Sequence, residues 1–543
     1  MQRRLFYPSK KPQWSSTRWK AVESTVANLQ HRIAKATLEG DYRKIRNLQR
    51  LLIKGLSARL KAVRQVAQEN KGKNTPGIDG ELWTTPKLKL DAAFSLHKKS
   101  KTKPLRRIYI PKKDGSRRPL GIPVIFDRAH QALWNLALIP VVETKSDPHS
   151  YGFRPYRGCW DAHAQIHVTL SRKSSATWVL DADIRKCLNT ISHDWLLQNT
   201  PMETNVLKSW LKCGFLDSGN LFPTEEGTPQ GGVISPTLAN HVLNGMQGVL
   251  KETFPRKQVG SYYKRTSYSS GINLIRYADD FIVTGRSKRQ LEKVKSVLTT
   301  FLEPRGLELH PDKTRIVHIR DGFDFLGWTF RKAKNGFLLR LISEEAQKSH
   351  KAQLRDLVKN SKNKPPSALI SDLNPVIRGW CEYHRCCTNI WSTWGKTNQY
   401  LFQLLWKWVR NRHPRKSRMW LYDKYWRYVD KRKTFVAALG KDLTHYKMTP
   451  YRFSNLKIHR IAGDTNVYLK HTQEYIRKVW FKKEVGRETG LRQTLWRRQK
   501  GICPNCNLVV PNSGDGLTDI HHRIPRSKGG SNQPWKLDLL LQS

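Results

Sequence analysis

Two adjacent carboxylates lie at a predicted turn near the middle of the sequence. Residues 274–277 and 281–283 are short β-forming runs, and Asp279 and Asp280 lie between them, which is the pattern of a hairpin with an acidic turn. Paired carboxylates at a tight turn bind hard cations such as Mg²⁺. An ordinary Asp-containing turn is the alternative interpretation of this pair taken alone.

A second acidic pair strengthens the metal interpretation. Residues 178–180 predict another short strand, and Asp181 and Asp183 follow with the alternation that places both on one side. Phosphoryl transfer to a nucleotide uses two metal ions about 4 Å apart. We expect Asp183 and Asp279 to bridge such a pair. Acidic residues are scarce, with 43 Asp and Glu against 98 Lys and Arg, so their clustering at strand ends is informative.

Two further segments have the chemistry of a triphosphate site. RRIYIPKKDGSRRPLGIP predicts a hairpin turning near Gly115, and its side chains would face an anion. Its cations are Arg106, Arg107, Lys112, Lys113, Arg117 and Arg118. GTPQGGVISPTLAN contains glycines where the backbone must approach another group closely, and it leads into a helix. Each segment is weak support when taken alone.

Composition favours a polyanionic partner. The formal net charge is +55 over 543 residues, and the cations are interleaved with 19 Trp, 18 Tyr and 17 Phe, which is typical of nucleic-acid binding rather than of a single membrane-surface helix. No apolar run reaches the roughly 18 to 20 residues of a membrane span. Eight cysteines are too few for a disulfide scaffold and fit a reducing compartment.

The order of segments predicts a multidomain α+β protein. Residues 20–68 predict two amphipathic helices, with Asp41 capping the second. Strands alternate with helices over about 250 residues after that, and after residue 345 the strand signal gives way to helices. The predicted domains are an N-terminal extension at 1–80, a catalytic core at 81–345, a helical domain at 346–445, a basic DNA-binding region at 446–495 and a small segment at 496–543.

Taken together, the ordered motifs resemble those of group II intron-encoded reverse transcriptases and maturases. The resemblance rests on RYADDFIV, GTPQGGVISPTLAN, SYGFRPYRGC and RRIYIPKKDGSRRPLGIPVIFDRAHQ. It extends through the amino-terminal region ending in NKGKNTPGIDG and through FDFLGWTF, LNPVIRGWCEYHR and LLWKWVRNRHP. It therefore covers nearly the whole chain.

This resemblance implies a right-hand polymerase of fingers, palm and thumb, with an α-helical N-terminal region and a helical thumb, called domain X, that grips RNA. Asp183, Asp279 and Asp280 match the catalytic carboxylates that bind Mg²⁺. Several further matches follow from the same motifs. Arg106, Lys112, Arg118, Leu188 and Gln230 match residues that bind the nucleotide, and Phe325, Leu326, Gly327 and Trp328 match the primer grip.

One position within the predicted palm departs from the family pattern. DADIRKCLNTISH has Leu188 and Asn189 where the family usually shows phenylalanine and aspartate. The phenylalanine packs under the deoxyribose and excludes a 2′-hydroxyl. We therefore expect polymerisation to persist with weaker discrimination against ribonucleotides, although a neutral apolar exchange is the alternative.

Residues 496–543 are similar to the HNH endonuclease domain of the same proteins. His521 and His522 match the histidine pair, and Cys503 and Cys506 match half of a zinc knuckle. Lys536 stands where an asparagine is expected and Leu541 where a metal-binding histidine is expected. With so few donors the metal would be held weakly, so we expect a truncated remnant without nuclease activity.

The function that these features predict is RNA-directed DNA synthesis combined with intron maturation. The expected cofactor is Mg²⁺, and the expected partners are group II intron RNA, target DNA and dNTPs in a ribonucleoprotein, without a membrane. A splicing-only RNA-binding maturase is the first alternative, and a DNA homing nuclease is the second. The expected location is the bacterial cytoplasm or an organelle.

Overall fold

The structure is a computed structural model. It describes residues 13–97, 101–111, 115–217, 219–229, 231–255, 257–259, 266–268, 270–388, 390–429, 432–437, 460–484, 491–505, 510, 518–524 and 533–541. The chain divides into two compact units. The first unit takes residues 1–166, 178–316 and 459–543, and the second takes 167–177 and 317–458. Among the described helices, none has both the length and the apolar character to cross a membrane.

The helices and strands are numbered here in chain order. The helices are α1 (Trp19–Leu38), α2 (Tyr42–Lys54), α3 (Leu56–Arg64), α4 (Pro86–Ser95), α5 (Ile125–Thr144), α6 (Cys159–Leu170), α7 (Cys187–Thr190), α8 (His193–Asn199), α9 (Thr204–Leu211), α10 (Ser235–Leu243), α11 (Met246–Thr253), α12 (Lys288–Leu302), α13 (Glu344–Asn360), α14 (Pro366–His384), α15 (Ile390–Arg412), α16 (Arg418–Tyr425), α17 (Gln473–Glu484) and α18 (Leu491–Arg498). The strands are β1 (Leu105–Pro111), β2 (Arg117–Ile122), β3 (Trp178–Ala182), β4 (Phe215–Asp217), β5 (Asn220–Phe222), β6 (Lys257–Val259), β7 (Thr266–Tyr268), β8 (Asn273–Tyr277), β9 (Asp280–Gly285), β10 (Arg315–His318), β11 (Phe323–Phe325), β12 (Trp328–Lys332), β13 (Leu338–Ile342), β14 (Trp426–Val429), β15 (Arg432–Phe435), β16 (Thr518–His522) and β17 (Leu537–Leu541).

The N-terminal helices form where the apolar period predicted them, with one difference. Asp41 caps α2, because its side chain accepts a hydrogen bond from the Lys44 backbone N–H at 2.9 Å. The predicted second helix is divided at Gly55, whose ψ of 130° interrupts the helix and starts α3. The apolar faces of α1, α2 and α3 pack with α5 in one core. The long helix α5 also sends Trp134, Leu138 and Val142 into the neighbouring core of the first unit.

A four-stranded sheet in the order β10-β3-β9-β8 carries the acidic residues. Strand β9 pairs antiparallel with both β3 and β8, so the ends of β3 and the β8–β9 turn lie at the same edge. One face of the sheet is covered by α10, α11 and α12 through Leu180, Phe281 and Val283. The predicted hairpin with the acidic turn is therefore confirmed.

A second sheet of the first unit has the order β2-β1-β4-β5. Its strands β1 and β2 form the predicted antiparallel hairpin, with Ile110 opposite Arg118. Strand β4 joins β1 in parallel through Leu105 and Phe215. Residues 112–114, which connect β1 to β2 in the sequence, lie outside the described residues.

The second unit contains the sheet β11-β12-β13 and the helices α13 to α16. The prediction that strands end after residue 345 is wrong, because β14 and β15 form an antiparallel hairpin after α16. Trp426 and Phe435 face each other across it, with ring centroids 5.2 Å apart, and Tyr425 stacks on Phe435 at 5.7 Å. The aromatic residues of this hairpin pack against one another and against α16, and this tertiary packing favours a strand. The local periodicity of the sequence does not show these contacts.

Part of the predicted basic region packs on the first unit. Lys483 of α17 contacts the buried carboxylate of Asp161 at 2.7 Å, and Arg157 donates to the carbonyl of Thr465 at 2.8 Å. Beyond it, α18 and the hairpin of β16 and β17 share a small core of Leu495, Trp496 and Leu539. Some residues of this positively charged region therefore stabilise the fold through contacts within the protein.

Candidate active site

A cleft of about 1150 Å³ opens in the first unit at the edge of the central sheet. Its walls come from the β1–β2 hairpin, from the segment after β3 and from the β8–β9 turn. The residues used below that line it are Arg117, Arg118, Phe153, Asp183, Leu188, Ala278, Asp279, Asp280 and Lys313. Cations thus face carboxylates across a space large enough for a nucleotide.

The three predicted catalytic carboxylates lie together in this cleft. Asp183 follows β3 directly, and Asp279 and Asp280 occupy the β8–β9 turn. The turn is tight because Tyr277 pairs with Asp280 and Ala278 has a φ of 58°, a left-handed conformation that is uncommon for alanine. This backbone geometry directs two consecutive carboxylates to the cleft.

The carboxylates repel one another. Burial in the cleft walls and the negative charges of Asp279 and Asp183 together raise the pKa of Asp280 to about 7, while the charge of Lys313 opposes the shift. Burial and the charge of Asp183 also raise the pKa of Asp279, while Arg118 opposes the shift. Asp279 and Asp280 still reach solvent within the cleft. Such a group of acids is stabilised by a bound cation.

Lys313 is a cleft residue that sequence reasoning missed. Its Nζ lies 2.7 Å from Oδ2 of Asp183, and this hydrogen bond raises the pKa of Lys313. Asp181, which lies on β3 two residues before Asp183, pairs instead with Arg315 at 3.1 Å and does not line the cleft. The charge alternation in PDKTR was the available signal, but only the tertiary fold shows which cation meets which acid.

A buried arginine forms a hydrogen bond with the backbone of the acidic turn. Arg276 has no exposed surface, and its guanidinium donates to the Ala278 carbonyl at 3.1 Å and to Oδ1 of Asn240 and Asn244 at 3.2 Å each. Burial lowers the pKa of Arg276 to about 10, so it stays charged at neutral pH. The hydrogen bond to Ala278 holds the left-handed residue in place.

Gly152 packs closely against the backbone of the same turn. A Cβ on this glycine would lie 2.3 Å from the Ala278 backbone nitrogen, and its carbonyl accepts a hydrogen bond from Nδ2 of Asn240 at 2.9 Å. Only a residue without a side chain allows this approach. The SYGFRP motif is therefore part of the support for the carboxylates.

The donors present fit Mg²⁺ better than a transition metal. Carboxylate oxygens are hard ligands, and Mg²⁺ commonly takes one or two carboxylates and completes its shell with water and substrate phosphates. Across the described part of the chain, no three histidine, cysteine or acidic side chains form a group that could hold an ion. An ion here would therefore need oxygens from a bound substrate as well as Asp183, Asp279 and Asp280.

Only some of the predicted nucleotide-binding residues line the cleft. Arg118 and Leu188 line the cleft, whereas Arg106 is half-buried on β1 and is not among its described lining residues. Arg107 stacks on Phe215, with Cζ 3.6 Å from the ring centroid. Lys112 and Gln230 lie outside the described residues, so their predicted roles stay predictions.

The predicted primer-grip residues form the β11–β12 hairpin of the second unit. Leu326 and Gly327 make the turn with φ values of 51° and 80°, and Phe325 and Trp328 flank it in register. Tyr383 donates to the Leu326 carbonyl at 2.9 Å and stacks on Trp328 at 4.7 Å. The turn is thus fixed against α14.

The described residues of the predicted nuclease site lie on β16 and in the segment between α18 and β16. His521 is exposed and His522 is half-buried on β16, opposite Asp538 and Leu537. Cys503 is buried in the small core with Trp496. Cys506 lies outside the described residues.

Three protein-family models match the chain. The reverse transcriptase (RNA-dependent DNA polymerase) model matches residues 110–330, the N-terminal domain of reverse transcriptase matches 14–96, and the maturase-specific domain of group II introns matches 347–426. The chain carries reverse transcriptase and group II intron maturase domains. The reverse transcriptase match includes all three cleft carboxylates, and the maturase match includes most of α13 and all of α14, α15 and α16.

Named relatives agree with these domains. Protein YkfC of Escherichia coli is 29% identical over 54% of this chain and 87% of its own length. The group II intron-encoded protein LtrA of Lactococcus lactis is 28% identical over 44% of this chain and 48% of LtrA. Maturase-like protein 1 of Euglena gracilis is 25% identical over 68% of this chain and 76% of that protein. The match to LtrA therefore spans about half of that protein.

Proposed function

We propose that this protein is an RNA-directed DNA polymerase that also binds its parent group II intron RNA and assists splicing. The observation that carries the polymerase proposal is the cleft in which Asp183, Asp279 and Asp280 face Arg118. We assign residues 81–345 to fingers and palm, and residues 346–445, which include most of α13 and all of α14 to α16, to the thumb.

The residues of the cleft have separable roles in this proposal. Asp183, Asp279 and Asp280 would hold Mg²⁺, which activates a primer 3′-hydroxyl and stabilises charge on the leaving pyrophosphate. Arg117 and Arg118 neutralise the triphosphate from the opposite wall. Lys313, whose side chain is 62% exposed, neutralises Asp183 before substrate and metal bind. Arg276 and Gly152 keep the acidic turn rigid.

A primer-extension assay on an RNA template tests the proposal. The unsubstituted protein should extend a DNA primer with Mg²⁺ and stop when EDTA is added. A splicing-only maturase is the second candidate, favoured by the maturase domain, and it would bind intron RNA and promote splicing without primer extension. The intact set of costly, mutually repelling carboxylates favours the polymerase.

Intron binding should show a characteristic salt dependence. With a net charge of +55, binding to random RNA should weaken by about 10³-fold or more between 50 and 200 mM salt, as displaced counterions dictate. The cognate intron should lose less affinity, because shape and stacking contacts are not screened. Filter binding across salt concentrations measures both. Equal affinity for cognate and random RNA throughout would contradict maturase recognition.

Leu188 should affect the choice of sugar. It lines the cleft beside Asp183, where a flat ring would fill the space under C2′ more completely than leucine does. Leu188→Phe is expected to raise the preference for deoxy- over ribonucleotides several-fold, or about 1 kcal/mol. Single-nucleotide insertion with dNTP and rNTP measures the ratio. An unchanged ratio would place residue 188 away from the sugar.

We propose that residues 496–543 are a truncated HNH-like remnant that has lost nuclease activity. Residue identity supports this, since Lys536 and Leu541 replace an expected asparagine and histidine, and weak metal binding removes the Lewis acid that the scissile phosphate needs. The protein with intron RNA should leave target DNA unnicked. Nicking that a His522→Ala variant loses would show an active nuclease.

A further inference from the structure

Phe153 lines the cleft, and its contacts within the protein do not explain its backbone conformation. The residue has a φ of 58°, a region in which the backbone of a residue with a bulky side chain is strained. Its side chain is nevertheless 54% exposed. The ring therefore gains little from burial in return for a strained backbone, which points to a contact made with something outside the protein.

Both neighbours of Phe153 are immobilised. Gly152 lies against the Ala278 backbone and is held by Asn240 at 2.9 Å. On the other side, the buried Arg154 forms a two-pronged ion pair with Glu143, with distances of 2.7 and 2.8 Å. The backbone at Phe153 is fixed between these anchors. The strain is thereby maintained, and the ring is held in one position.

That position is at the reaction centre. Phe153 lines the same cleft as Leu188 and the three carboxylates, and its preceding residue touches the turn that carries Asp279. A rigid aromatic face beside a metal-binding turn suits the apolar face of a sugar or base. Stacking of this kind is worth about 1–3 kcal/mol per base and tolerates any sequence.

We propose that Phe153 binds a nucleotide at the reaction centre, with its ring packed against the sugar and base. The residue determines affinity and is not part of the metal site. The inference rests on the proposed polymerase function. The bound nucleotide is either the incoming dNTP or the terminal nucleotide of the primer, and the two sources are separable by experiment.

Phe153→Gly and Phe153→Leu in the full-length protein test the proposal. Glycine adopts a φ of about +60° at little cost, so Phe153→Gly should leave the unfolding temperature unchanged or higher while removing the ring. Nucleotide affinity should fall by about 5- to 100-fold, and Phe153→Leu should retain part of it. Tyr42→Leu is the matched control, because Tyr42 is an aromatic residue of the first unit that is 55% exposed and lies outside the lining of the cleft.

Two readouts identify the nucleotide. A higher KM for dNTP, with an altered deoxy-to-ribo ratio and unchanged primer–template affinity, assigns the ring to the incoming nucleotide. Weaker primer–template binding in fluorescence anisotropy, with unchanged dNTP KM, assigns it to the primer terminus. Anisotropy does not require turnover, so it decides the primer contact even if primer extension by the unsubstituted protein fails and the polymerase proposal falls.

Two outcomes would overturn the inference. In the first, both Phe153 variants match the unsubstituted protein in dNTP KM and in primer–template affinity. In the second, Phe153→Gly lowers the unfolding temperature in step with activity, which would assign the ring to internal packing.

Discussion

Asp280→Asn and Asp183→Asn are each expected to abolish cDNA synthesis while leaving intron RNA binding within a few-fold of the unsubstituted protein. Asparagine matches aspartate in size, so the turn and the strand should keep their packing. The substitution removes a negative oxygen donor for a hard cation. Loss of several kcal/mol of transition-state stabilisation corresponds to a rate reduction of about three orders of magnitude or more.

Primer extension and filter binding on the same preparations separate the two activities. Asp181→Asn is the matched control, because Asp181 lies on β3 two residues before Asp183 but pairs with Arg315 at 3.1 Å and stays out of the cleft lining. It should retain synthesis within about three-fold, since an ion pair whose arginine is exposed to solvent contributes little. RNA affinity comes from many scattered cations. Parallel loss of RNA binding and synthesis in the Asp280 and Asp183 variants would contradict this separation of roles.

The acidic cleft could be predicted because its signal is local. The hairpin around Asp279 and Asp280 follows from two β-forming runs and a turn, and the strand before Asp183 follows from its apolar residues. The pairing of β3 with β9 then brings the acids together. Local sequence predicts each strand separately, and the resemblance of the ordered motifs to a known family predicts that their acids lie together.

The residues that hold the cleft in shape could not be predicted from their neighbours in sequence. Lys313 meets Asp183 across 130 positions, and Arg276 depends on Asn240 and Asn244 of another element. Periodicity also placed no strand after residue 345, although β14 and β15 pair there. In each case the partner is distant in sequence, and tertiary packing decides the conformation.

Gly152→Ala is expected to reduce cDNA synthesis by about 100-fold or more. The new Cβ would lie 2.3 Å from the Ala278 nitrogen and 3.0 Å from the Ala278 Cα and the Tyr277 carbonyl carbon. These are backbone atoms of the acidic turn, which cannot rotate away as a side chain would. Either the loop or the turn must shift by about 1 Å, and a displacement of that size at a reaction centre costs roughly 10²-fold in rate.

Gly158→Ala is the matched control within the same loop, because a Cβ at Gly158 has no other heavy atom within 4 Å. Gly158→Ala should keep normal activity. Single-turnover primer extension with a Mg²⁺ titration measures both variants. For Gly152→Ala we expect a lower maximal rate and a higher Mg²⁺ requirement, since displaced carboxylates hold the cation less well, while intron RNA binding stays intact. Normal synthesis by Gly152→Ala would mean that the loop yields without moving the carboxylates, and that the close contact does not position them.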